Sequence, residues 1–219
     1  MNRRPTFLAA IALTAAAALS LSACGSDDSP KDKKNDKIAG ADRGSETSTS
    51  PSPSASAAAG RPKIEMPSDL SYTFDWPKSD DEDKDAVLGD SEQSIKAVDL
   101  AIVKQNALDK AYLNYYEGEG AAGTQKFIQN YVDHKAAVTG AYRFYDPEVA
   151  VNKGGTASLS YCEDQGKAYV KDLKTGKVKK TEVNADSYVL YHTSLRKSDG
   201  GVWVIREIIS EIGSAKCRP

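Results

Sequence analysis

Thr156-Ala157-Ser158-Leu159-Ser160-Tyr161-Cys162 alternates small or polar residues with bulkier apolar ones, so that Ala157, Leu159 and Tyr161 share a face. A period of two over such a run is the pattern of a β-strand with one covered side. Just before it, Asn152-Lys153-Gly154-Gly155 has the chemistry of a hairpin turn. Before that turn Tyr142 and Phe144, then Val149 and Val151, keep the same period, interrupted by Asp146-Pro147. Proline cannot donate to a ladder, so Pro147 marks a bend or an edge. On the far side, Asp164-Gln165-Gly166 and Thr175-Gly176 read as turns around a strand at 167–172. A strong strand follows at 188–196, Ser198-Asp199-Gly200-Gly201 turns the chain again, and a last strand covers 202–210. From Gly140 onward the spacing predicts antiparallel strands joined by hairpins.

Upstream of Gly140 the period is helical. Val98, Ala101, Ile102, Leu108, Tyr112 and Tyr115 recur on one stripe, with Lys96, Asp99, Lys104, Asp109 and Lys110 assigned to the polar side. Asp90 and Gln93 have the form of a capping box, and Gly118 and Gly120 stop the run, which predicts a helix of about 25 residues opening at Asp90. A second helix is predicted over 124–134, with Phe127, Ile128, Tyr131 and Val132 inward. Leu70, Tyr72, Phe74 and Trp76 alternate as a strand that Pro77 ends. The acidic run 79–85 lacks the spaced ligands and glycine of a calcium loop, so it reads as a solvated loop. Helices first and antiparallel strands after argue an α+β domain, its helices on one face of a curved sheet.

The N-terminal third is of another kind. Arg3 and Arg4 precede an apolar run from Phe7, and Leu21-Ser22-Ala23-Cys24 reads as a lipobox. These are the parts of a secretory signal, over 1–23, with Cys24 as the acylated first residue of the mature chain. Two or more acyl chains anchor a protein stably, so the expected location is the extracytoplasmic face of the cell membrane. General secretory and twin-arginine export both fit the Arg3-Arg4 pair. Residues 24–66 are rich in Ser, Pro, Ala and charge. They have too little apolar surface to offset ordering and are read as a disordered tether, with its glycosylation open.

Overall composition is 40% hydrophobic and 27% charged, with a formal net charge of −2. Residues 1–90 hold 11 Lys and Arg against 15 Asp and Glu, and the remainder is close to neutral. The folded part therefore has no basic excess for nucleic acid. With Cys24 acylated, Cys162 and Cys217 remain as a pair in an oxidising compartment, and a disulfide between them is expected.

The lipobox, the tether, the helix around Lys110-Ala111-Tyr112-Leu113-Asn114-Tyr115-Tyr116 and the strand Ser158-Leu159-Ser160-Tyr161-Cys162 together resemble small secreted lipoproteins of high-GC Gram-positive bacteria with an NTF2-like (SnoaL-like) domain, here over 67–219. The resemblance implies a cone formed by helices on a strongly bent sheet. It also implies that enzyme members place an Asp or His base inside that cone. Two histidines exist: His134, read as a helix-end residue favoured by the dipole, and His192 in mid-strand. No catalytic triad spacing, metal-ligand cluster, phosphate loop or cofactor motif is present. The tyrosines and Trp203 are either core or cone wall, and Tyr112, Tyr115, Tyr116, Tyr131, His192 and Trp203 form the candidate pocket. The reading is thus a membrane-anchored, non-catalytic module binding a small ligand or an envelope protein, with no cofactor. An isomerase- or hydratase-type enzyme acting on a small apolar substrate is one alternative, and a structural accessory domain of an envelope complex is the other.

Overall fold

A computed structural model describes residues 60–219. The signal, Cys24 and most of the tether lie outside the described residues. The chain runs through β1 (Leu70–Phe74), α1 (Glu82–Val103), α2 (Lys110–Leu113), α3 (Gly118–Asp133), β2 (Ala136–Asn152), β3 (Thr156–Asp172), β4 (Val178–Lys179), β5 (Tyr188–Lys197) and β6 (Trp203–Ile212). The strands form one sheet in the order β1-β2-β3-β5-β6, with β4 paired to β3. β1 runs parallel to β2, and every other pairing is antiparallel. The α+β layering expected from the sequence is what the structure has: helices packed on a curved sheet.

α1 begins earlier than its sequence suggested. Its N-cap is Asp81, whose carboxylate accepts from the amides of Asp83 and Lys84 at 3.0 and 3.1 Å. Glu82, Asp83 and Asp85 occupy the first turn, where the helix dipole favours negative charge. The acidic run is therefore the start of the helix, and the expected solvated loop is corrected. Asp90 falls two turns into α1 and is 2% exposed. It is not a cap. Its carboxylate accepts from Arg61 Nε at 2.6 Å, Arg61 Nη2 at 2.8 Å and the Trp203 amide at 2.9 Å. Ile64 and Met66 also pack against the core, so the packed part reaches back at least to Arg61.

The single helix expected through Tyr115 is broken after Val103. Gln105 takes a φ of 53°, and its side-chain amide donates to Ile102 O and Ala136 O, both at 2.8 Å. The chain restarts at Asp109, which caps α2 by accepting from the Ala111 amide at 2.9 Å and pairs with Lys104 at 3.1 Å. Asp109 is buried in that role and does not sit on a solvated helix face.

β2 and β3 are 17 residues each, because both run through positions read as breaks. Asp146-Pro147 is a register shift inside β2, with Asp146 at a φ of 50°. A second shift lies between Ala141 and Arg143, beside Gly140. Gly140 has a φ of 104°, and a Cβ there would lie 2.2 Å from Lys167 O. Bulges bend the strand that carries them and sharpen its twist. Two in one strand curl the sheet around the helices. Asp164-Gln165-Gly166 likewise continues β3 and is not a turn.

The interior between helices and sheet is filled by Val87, Ala97, Ala101, Ile102, Tyr112, Tyr115, Ile128, Leu159 and Trp203, all fully buried. A smaller cluster on the opposite face of the sheet joins Cys162, Cys217 and Leu190, with Tyr145 and Tyr188 alongside. Cys162 and Cys217 form a disulfide there, their Cα atoms 5.4 Å apart.

Candidate functional site

The concave face of the sheet and the helices enclose a cavity of about 550 Å³. Its walls follow from two periods. Along β3 the alternation that buries Ala157, Leu159 and Tyr161 continues to Glu163 and Gln165, because the strand does not turn at Asp164. Along β5 the same parity directs Val189 and Tyr191 inward. On α1, Asp99 follows Ile95 by four residues, so both present to the cavity beside Val98. α3 adds Gly123, Thr124, Phe127 and Tyr131, and β2 adds Tyr142 and Phe144. Between α2 and α3 the chain pairs with β6: Ile205 N donates to Tyr115 O at 2.8 Å and Glu117 N to Ile205 O at 3.0 Å. That bridge holds Tyr116 against the cavity. Phe127 and Ile212, 51% and 65% exposed, give the cavity an apolar rim.

Two carboxyls sit in this aromatic wall. Asp99 Oδ2 accepts from the Tyr72 hydroxyl at 2.7 Å. Burial pushes the Asp99 carboxyl up to about 7, and the Tyr72 hydrogen bond only partly offsets that. Glu163 is 7% exposed and is hydrogen-bonded by Tyr191. It too is pushed up to about 7, first by burial and then by the negative charges of Asp99 and Asp164, against the Tyr191 bond. The surrounding phenols move the other way from ionisation: burial raises Tyr116 to about 12, and Tyr131, Tyr142 and Tyr191 are raised as well. Around neutral pH the cavity therefore holds two carboxyls balanced between acid and carboxylate, among hydroxyls that stay protonated. Such groups can hold or pass a proton, or face a charge on a ligand.

The candidate pocket residues divide. Tyr116 and Tyr131 line the cavity. Tyr112, Tyr115 and Trp203, all 1% exposed or less, belong to the solid core beneath it, and this corrects their assignment as pocket wall. His192 is exposed on the outer face of the sheet, its Nδ1 2.7 Å from Ser160 Oγ. Strand parity sends it there, since inward Tyr191 is its neighbour. It is not part of the cavity. His134 is the C-cap residue of α3, with Nδ1 2.7 Å from Asn130 O. Asp99, assigned to the polar side of its helix, is corrected to the cavity. Among the described residues no three His, Cys, Asp or Glu side chains gather as metal ligands.

A smaller hollow of about 300 Å³ adjoins the cavity through Tyr131, Val138, Tyr142 and Gln165. It is covered by the segment after β4, including Thr181, Glu182, Asn184 and Asp186.

Fold and site together define an α+β domain whose helices and curved sheet surround a ligand-sized cavity, the arrangement that the resemblance implied. No family model matches the chain, and no curated relative matches it. Similar solved structures include a ketosteroid isomerase-like protein from Erwinia carotovora, at 15% identity and TM-score 0.41, covering 61% of this chain and 98% of that one. An NTF2-like protein of unknown function from Shewanella oneidensis has 16% identity and TM-score 0.36, covering 57% and 98%. The association domain of Caenorhabditis elegans CaMKII has 14% identity and TM-score 0.36, covering 60% and 99%. Identities at this level carry no residue roles across.

Proposed function

We propose that this chain is a lipid-anchored, extracytoplasmic module that holds a small, largely apolar ligand in its cone. The observation that carries the reading is the cavity of about 550 Å³, walled by tyrosine and phenylalanine and rimmed by exposed Phe127 and Ile212. Ligand sites are commonly concave, mostly apolar and furnished with a few placed polar groups, and their volumes run from about 300 to 1,000 Å³. Gly123 offers a clean test. It lines the cavity on α3, and a Cβ built there meets nothing within 4 Å. Gly123→Trp is expected to fill the mouth, leave the far-ultraviolet spectrum unchanged and abolish saturable one-to-one binding of benzyl alcohol-sized aromatics in calorimetry. Binding as in the wild type would move the ligand site elsewhere.

The anchor belongs to the same proposal and rests on the lipobox at Leu21-Ser22-Ala23-Cys24. Among the described residues no helix is long and apolar enough to cross a membrane. Cys24→Ser is expected to release the protein into the medium, while the wild type partitions into the detergent phase. Equal release of both would refute the lipid anchor.

An acid–base enzyme of the isomerase or hydratase type is the second reading, and a specific observation favours it: Asp99 and Glu163 line one cavity, each pushed up to about 7 by burial. The two readings part on whether a ligand recovered from the cone is chemically unchanged.

A further inference from the structure

The larger cavity carries acid without base. Its lining includes Asp99 and Glu163 and no lysine, arginine or histidine. Lys179 lines the adjoining hollow and not this cavity, and two cations next in the chain to lining residues, Lys96 and Arg143, are committed elsewhere. Lys96 Nζ lies 4.9 Å from the centre of the Phe74 ring and 3.6 Å from Glu92, and Arg143 pairs with Asp75 at 2.6 Å. Neither lines the cavity. Among the described residues the hydrogen bond on the Asp99 carboxyl is taken by Oδ2, which leaves Oδ1 without a protein donor in a wall that faces the cavity. Glu163 has Tyr191 as its hydroxyl partner and no cation.

The rest of the wall mixes aromatic rings with aliphatic side chains such as Ile95, Val189 and Ile208. Tyr161 and Tyr191 stack with centroids 5.1 Å apart, and Tyr142 and Phe144 stack at 6.2 Å. Aromatic faces attract a cation through the ring quadrupole, the more so when the site is shielded from water. An anion would meet two carboxyls and no counter-charge. A neutral ligand would leave those carboxyls with only their tyrosine hydroxyl partners and no counter-charge.

We infer that the cone is shaped for a small organic cation, an ammonium group on an apolar frame, with Asp99 and Glu163 supplying the counter-charge and the tyrosines the cage. This rests on the cone being the ligand site, as proposed above, and adds the chemical class of what enters it. Nothing in it requires a reaction.

The test uses three probes of one frame on the purified full-length chain: benzyltrimethylammonium, benzyl alcohol and benzylsulfonate. All are water-soluble, and the charge on the ammonium is fixed. Calorimetry is expected to show the ammonium binding at least about ten-fold more tightly than the alcohol, a modest demand on cation–π and ionic attraction in a shielded site. The sulfonate should not bind. Asp99→Asn/Glu163→Gln, nearly isosteric, should abolish the preference for the ammonium while leaving binding of the alcohol in place. Equal or tighter binding of the alcohol by the wild type overturns the proposal but leaves the cone as a ligand site. A double variant that keeps the preference also overturns it. Failure of all three probes to bind tells against the cone itself, and the cation proposal falls with it. Because the comparison within the wild type decides the matter, it does not depend on the variant folding.

Discussion

Asp90→Ala is expected to destabilise the protein by about 3–5 kcal/mol, the range for breaking a buried ion pair from one side. Three donors converge on this carboxylate: Arg61 Nε, Arg61 Nη2 and the Trp203 amide. Removing it takes the counter-charge from a guanidinium whose side chain is 22% exposed, and leaves the amide of a fully buried tryptophan without an acceptor. An unsatisfied buried amide alone costs on the order of 1–3 kcal/mol. The contact also joins three parts of the chain, since Arg61 precedes β1, Asp90 is in α1 and Trp203 opens β6. Urea denaturation checks it. Asp90→Asn keeps an oxygen acceptor for the Trp203 amide and should lose less. A change below about 1 kcal/mol for Asp90→Ala would show that the clasp is no more than a surface pair. Truncating the chain through Arg61 should reproduce most of the effect.

The second large effect is expected at the disulfide. Cys162 and Cys217 are 55 residues apart, and closing a loop of that length stabilises by about 4 kcal/mol in the chain-entropy model. Both half-cystines are fully buried on the outer face of the sheet against Leu190. The Tyr145 hydroxyl donates to the Cys217 carbonyl, and Lys216 pairs with Glu148 at 2.9 Å. The bridge therefore fastens the C-terminal segment to β2 and β3, in the middle of the sheet. Cys162→Ala/Cys217→Ala, or reduction of the wild type, should lower the urea midpoint in proportion. The cavity lies on the other face, so ligand binding measured well below the midpoint should persist. Loss of binding with little loss of stability would mean that the bridge shapes the cone directly.

The α+β class was legible in the sequence because it depends on local periodicity. The stripe from Val98 to Ile102 and the alternation from Ala157 to Tyr161 need only the repeat of a helix or strand to show which side is covered. The cysteine pair was legible by counting. The cavity was half legible. Tyr131 stood in the apolar pattern and Tyr116 among the candidate pocket residues, and carrying the period of β3 one step past Tyr161 reaches Glu163. What hid Glu163 was Asp164-Gln165-Gly166, a turn by its chemistry, which the pairing of β3 with β2 and β5 holds extended.

Other features were settled only by the tertiary structure. Asp90 reads as the helix start in sequence, and moving the start back to Asp81 requires knowing that Arg61 and the Trp203 amide arrive at Asp90. Asp99 stands at the edge of an apolar stripe, where solvent and interior are separated by a fraction of a helical turn. Tyr72 on β1, far back along the chain, makes the inward position tenable by donating to it. Tyr112 and Tyr116 differ in the sequence only by one turn, yet one is core and the other cavity wall. Local pattern determines which side of an element is covered. Whether the cover is packed side chains or an enclosed space depends on the bend of the sheet, and that bend is set by bulges in β2 whose effect appears only when its neighbours are paired.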